Sequence, residues 1–72
     1  MEHKREDLIR KIRKAARKAG KDFDLIGSTG PHDKFRLGNT TFPIPRHRVI
    51  GPKVSFEIFA ALEGELGKRW WR

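Results

Sequence analysis

Near the start of the chain Leu8, Ile12, Ala15, Ala16 and Ala19 fall on one stripe at helical spacing while charged residues fill the other faces. This predicts a helix from about Glu2 to Ala19, stopped by Gly20. The period then changes to two: Phe23 and Leu25 alternate with Asp22 and Asp24, the signature of a half-buried strand ending at Gly27-Ser28. Ser28-Thr29-Gly30-Pro31 reads as a short exposed loop. Two more alternating segments, Phe35 with Leu37 and Phe42 with Ile44, flank Gly38-Asn39, a two-residue turn whose residues tolerate positive φ, so the stretch reads as a hairpin. Pro43 and Pro45 cannot donate to a ladder, which places the third strand at an edge or leaving the sheet. Gly51-Pro52 then opens a helix with Val54, Ile58, Phe59, Leu62 and Leu66 on its apolar face, weakened at Gly64 and ended by Gly67. The predicted order is α-β-β-β-α, an α+β fold with a three-stranded antiparallel sheet. Phe23, Phe35, Phe42, Phe56 and Phe59 are assigned to the core or its edge rather than to a base-stacking platform, with Phe56 off the main stripe of the last helix.

Length and charge limit what such a fold does. Seventy-two residues make one domain, 1–72, near the small end of what folds without staples. There is no cysteine, hence no disulfide or zinc-thiolate site, and no apolar run approaches the ~20 residues of a membrane span. With no signal peptide recognisable, a soluble cytoplasmic protein is expected, with no membrane association. Seventeen Lys or Arg against nine Asp or Glu give a formal charge of +8 and a pI near 10.7, a balance that points to a polyanionic partner, nucleic acid first. Residues 1–20 hold eight Lys or Arg against three Asp or Glu, although acids toward the start of the helix and cations toward its end are also the order a helix dipole favours. The ending Lys68-Arg69-Trp70-Trp71-Arg72 joins three cations to two indoles, for which core packing competes with base stacking or partner contact.

The chemistry gathers at the open end of the hairpin. A hairpin running from His32 to Arg48 brings His32 to the Arg46-His47-Arg48 group, two imidazoles among guanidiniums. RNA cleavage needs a base for the 2′-hydroxyl proton, an acid for the leaving 5′-oxygen and positive charge on the phosphorane; histidine, titrating near ~6.5, serves either proton-transfer role. His32 is the candidate catalytic acid or base, His47 the candidate second proton-transfer group, and Lys34, Arg46 and Arg48 the candidate phosphate clamps. Asp33 is a single carboxylate beside His32, short of the ligand set of a two-metal nuclease, and the sequence calls for no cofactor. His3 is left outside the site.

Element order and hairpin residues together resemble the HicA toxins of bacterial toxin-antitoxin systems, from Leu8 to Arg72. Gly27 and Ser28 ahead of His32, with Phe35 following, match the family's Gly-Ser-histidine-aromatic motif, and Pro45-Arg46-His47 matches its proline-x-histidine after a hydrophobic strand. Thr29-Gly30-Pro31 separates Ser28 from His32, where many members place the histidine directly after Gly-Ser. The resemblance implies a double-stranded-RNA-binding-like fold, metal-independent endoribonuclease activity on mRNA with His32 catalytic, Ser28 joining the RNA-binding residues, and a HicB-type antitoxin that covers the site. The competing function is a non-catalytic RNA-binding module, with the basic first helix and loop cations lying across successive minor grooves. Oligomeric state and RNA sequence preference are left open.

Overall fold

A computed structural model describes residues 2–72. The amphipathic stripe forms helix α1, Arg5–Ala19, and buries Leu8, Ile12 and Ala16. It ends as expected: Gly20 takes φ 68°, a left-handed cap that glycine adopts without strain. The start differs. The helix begins at Arg5 rather than Glu2, because His3–Lys4 is a short extended segment, β1, paired antiparallel with β5, Val49–Ile50. The backbone N–H of Arg5 continues this pairing to the Arg48 carbonyl at 2.8 Å. A two-residue ribbon has no sequence signature of its own; the buried Ile50 holds it against the core.

Strands β2 (Phe23–Thr29), β3 (His32–Leu37) and β4 (Thr40–Pro45) form one antiparallel sheet in the order β2-β3-β4. The proline-bearing β4 is an edge strand, as its missing donors require. At the hairpin tip Gly38 alone takes a positive φ, 60°, the conformation of the first central residue of a II′ turn. The stretch read as a loop between β2 and β3 is a tighter device. Thr29 pairs with His32 across Gly30-Pro31, so His32 is already a ladder residue and the Thr29-Gly30-Pro31 segment closes a second hairpin.

Alternation divides the sheet into two faces. Phe35, Leu37, Phe42 and Ile44 point to the helices and are buried, with Phe23, Phe35 and Phe42 stacking at ring centroids 5.2 to 6.3 Å apart. On the opposite, open face stand His32, Lys34 and Arg36 of β3, paired with Pro45, Pro43 and Thr41 of β4. Leu25, expected to be half-buried, is 57% exposed. It lies on the other edge strand, where a register shift between Leu25 and Gly27 ends the alternation.

The last helix is broken in two, α2 (Pro52–Ala61) and α3 (Glu63–Leu66), joined at the buried Leu62. Ile58, Phe59 and Leu62 complete the core, while Val54 is exposed and Ser55 is buried in its place, donating to the Ile50 carbonyl. After Gly67 the chain folds back, and the Trp70 indole donates to the Phe59 carbonyl at 2.8 Å. Trp71 stacks over the Phe59 ring at 5.7 Å, and His3 meets the same ring edge-on at 5.2 Å. Both tryptophans and His3 therefore pack against the core, with Phe59 as the shared centre. Phe56 remains 58% exposed, its edge against Trp71. Among the described residues no helix is long and apolar enough to cross a membrane.

Candidate functional site

The hairpin does bring its two ends together. His32 lies opposite Pro45, and the Arg46 N–H donates to the Pro31 carbonyl at 3.0 Å, which fixes the exit of β4 beside the entrance of β3. The His32 side chain is exposed and lines a groove of about 300 Å³ with Pro43 and Pro45 of β4 and Val54, Glu57 and Ala61 of α2. The groove is apolar along its walls, with the imidazole and the Glu57 carboxylate as its ionisable groups. Glu57 was not singled out in the sequence. Its signal was the second stripe on α2, Val54, Glu57, Ile58 and Ala61 at i, i+3, i+4 and i+7, which faces the groove.

Beside His32 on the strand, Asp33 falls on the inward phase with Phe35 and Leu37, and an acid on that phase requires partners. It has three: Arg5 Nη2 donates to Oδ2 at 2.6 Å, and Arg46 Nε and Ser28 Oγ donate to Oδ1 at 2.8 and 2.9 Å. Arg5 also donates through Nε to the Pro45 carbonyl at 2.9 Å, so one carboxylate and one guanidinium tie α1, β2, β3 and the exit of β4 into a single knot. The hydrogen bonds from Arg46 and Ser28, with the positive charges of Arg46 and Arg5, hold the Asp33 carboxyl below its ordinary range against an opposing desolvation cost. The alternating phase of β3 was the signal that could have marked Asp33 as this hub.

The candidate residues consequently separate. His32 and Lys34 share the open face of β3 and are both exposed. Arg36, two residues further on, extends that row and was missed, although the alternation that placed Lys34 places it too. Ser28 and Arg46 are directed to Asp33. Arg48 lines a different cleft, with Lys4, Arg5 and Glu6. His47 is exposed between them and is not among the residues lining the His32 groove.

Chemically, this end of the molecule offers an accessible imidazole at the mouth of an apolar groove, an exposed row of cations along β3, and a rigid ion-pair knot beneath. An imidazole that reaches solvent and an anchored strand end are what proton transfer to a bound polyanion requires. No protein-family model matches the chain, and no curated protein or solved structure matches it.

Proposed function

We propose that this chain is a HicA-like toxin, a metal-independent endoribonuclease acting on mRNA, with His32 as its proton-transfer group. The observation that carries the reading is the position of His32: an exposed imidazole on the first residue of β3, held by the Thr29 and Pro45 pairings and bordering an open groove. In the proposed reaction a base removes the 2′-hydroxyl proton, the 2′-oxygen attacks the adjacent phosphorus, and the bond to the 5′-oxygen breaks as that oxygen gains a proton. This leaves a 2′,3′-cyclic phosphate and a 5′-hydroxyl. His32 carries one of the two protons, and Lys34, two residues along the same face, offsets the charge that grows on the phosphorane. For the second proton, Glu57 in the groove is better placed than His47.

Ser28 and Arg46 act in this reading by holding Asp33, and through it the strand end that carries His32, rather than as direct clamps. A HicB-type antitoxin covering the His32 groove and action in the cytoplasm belong to the same proposal. The engagement of Ser28 and Arg46 also favours a second reading, a non-catalytic RNA-binding module, because it removes two side chains from the phosphate.

The test is cleavage of a long single-stranded RNA by the purified protein in EDTA, with His32→Ala as the paired control at matched RNA affinity. Cleavage in EDTA that disappears in the variant, with cyclic-phosphate ends on the products, is the expected result. RNA bound by the wild type and left intact overturns the ribonuclease and leaves the binding module.

A further inference from the structure

The largest concentration of unbalanced charge lies away from His32, along α1. Arg10, Lys11, Lys14 and Lys18, with Arg72 of the tail and both indoles, line a groove of about 590 Å³ whose one acid is Asp7. Its residues are distinct from those of the His32 groove. Arg10, Lys14 and Lys18 follow one another at i, i+4, where like charges repel and destabilise a helix. The helix dipole accounts for Lys18 in the last turn but not for Arg10 or Lys14 in the middle. Among the described residues, Arg10 has a 3.5 Å ion pair with Asp7, while Lys11, Lys14, Lys18 and Arg72 are in no ion pair. The fold therefore maintains a repulsive row that its own acids do not neutralise.

The tail adds an aromatic wall to that row. Trp70 is fixed by its hydrogen bond to the Phe59 carbonyl and Trp71 by its stacking on the Phe59 ring, so the indoles stand in set orientations, each still partly exposed. Phosphate-spaced cations beside ring faces are the two components of single-strand recognition: the charges follow the backbone and the rings take bases. From Arg10 to Lys18 the helix rises about 12 Å at ~1.5 Å per residue, which sets a cation about every 6 Å along the row.

We propose that the groove between α1 and the C-terminal tail is a binding track for a single RNA strand, with Arg10, Lys14, Lys18 and Arg72 on its phosphates and a base against Trp71. The inference rests on the reading of this chain as an RNA-binding protein, but not on cleavage. RNA is held on α1 and is presented from there to whatever chemistry His32 performs.

The test uses His32→Ala protein in EDTA, so that RNA stays intact, and a fluorescein-labelled oligouridylate of about 12 nucleotides, within the ~4–16 nucleotides such tracks span. The Lys14→Gln/Lys18→Gln pair, two exposed positions on a helix surface, is compared with Lys53→Gln/Arg17→Gln, exposed positions outside the groove that remove the same net charge. The α1 pair is expected to flatten the dependence of log affinity on log salt by about 1.4, at ~0.7 per single-strand phosphate contact, which is on the order of a tenfold weakening at ~0.15 M salt. The control pair is expected to leave the slope within a few tenths of the parent. Trp70 and Trp71, the chain's two tryptophans, both line the groove, so their emission is expected to be quenched as RNA binds. Equal losses in the two pairs, or binding with unchanged tryptophan emission, overturns the proposal. The ribonuclease reading is decided separately, by cleavage with His32 restored.

Discussion

The two ends of the β3-β4 hairpin are each held by a carboxylate with three donors, and they are held for different ends. At the closed end Glu65 of α3 accepts from Lys21 Nζ at 2.8 Å, from Thr40 Oγ1 at 2.9 Å and from the Asn39 N–H at 3.2 Å. At the open end Asp33 accepts from Arg5, Arg46 and Ser28. Glu65 is brought in from outside the hairpin to clamp a turn, and a Cβ on Gly38 would meet its carboxylate, which would have to shift and weaken the clamp. Asp33 belongs to the hairpin and draws in α1 and the β4 exit, leaving His32, its neighbour, exposed. Similar chemistry thus makes one end a closed staple and the other a fixed base under an accessible side chain. An ion-pair knot beside a candidate site need not touch substrate in order to matter.

The comparison is broken most sharply by one substitution at each end. His32→Ala is expected to lower RNA cleavage by about 10²–10⁴-fold, the range for loss of a positioned acid-base group, with the thermal unfolding midpoint unchanged. Gly38→Ala is expected to do the reverse. The alanine must adopt φ near 60° and displace Glu65, a backbone and packing cost of about 1–3 kcal/mol, read as a lower urea midpoint while the folded fraction keeps its cleavage rate. A His32→Ala protein that melts early, or a Gly38→Ala protein that is stable and inactive, would exchange the roles assigned to the two ends.

Acid sensitivity sharpens it further. At Glu65 the hydrogen bonds from Lys21 and Thr40 lower the carboxyl below its usual value, as those from Arg46 and Ser28 do at Asp33. A folded-state pKa below the unfolded one means stability that is complete above the unfolded value, about 4, and that is lost as pH falls through the folded value. The wild type should therefore lose stability progressively below about pH 4–5, and Asp33→Asn and Glu65→Gln should each flatten that acid limb in urea titrations followed by circular dichroism. In the same pair, Asp33→Asn alone should also reduce cleavage at neutral pH, because it releases Arg46 and the strand end bearing His32. Equal effects of the two on cleavage would mean that the open end is no more than a second staple. The smallest expected effect is that of Lys34→Gln, a few-fold rise in KM with little change in thermal midpoint, together with a salt slope lower by about 0.7.

Much of this architecture is legible in the chain because it is local. The α1 stripe, the Gly20 stop, the Gly38 turn and the proline-marked edge strand each follow from the geometry of a few neighbouring residues, and all appear where the pattern puts them. The differences arise where distant segments compete. The first turn expected at Glu2 is replaced by pairing of His3 with Ile50 and of Lys4 with Val49, far apart along the chain. The last helix divides at Leu62, a division that lets Glu65 reach the hairpin tip. Leu25 carries the right periodicity but lies on an edge strand beside a bulge, with too little to cover it.

The candidate site shows the same division. That His32 and the Arg46-His47-Arg48 segment meet is a consequence of hairpin length and turn type, and the sequence determines it. Which side chains of that meeting remain available is decided by tertiary structure, because Asp33 can select its partners only once α1 has placed Arg5 beside it. A hydrogen-bonding acid on an inward phase gathers whichever donors the fold brings within reach, and those donors come from positions 5, 28 and 46. By itself, then, the chain set the order of its elements, the basic excess and the hairpin that carries His32. The three-dimensional fold alone settled that Ser28 and Arg46 belong to the ion-pair knot, that Glu57 shares the groove of His32, and that the tail's indoles stand beside the α1 cations, since each of these depends on contacts between elements that no local pattern encodes.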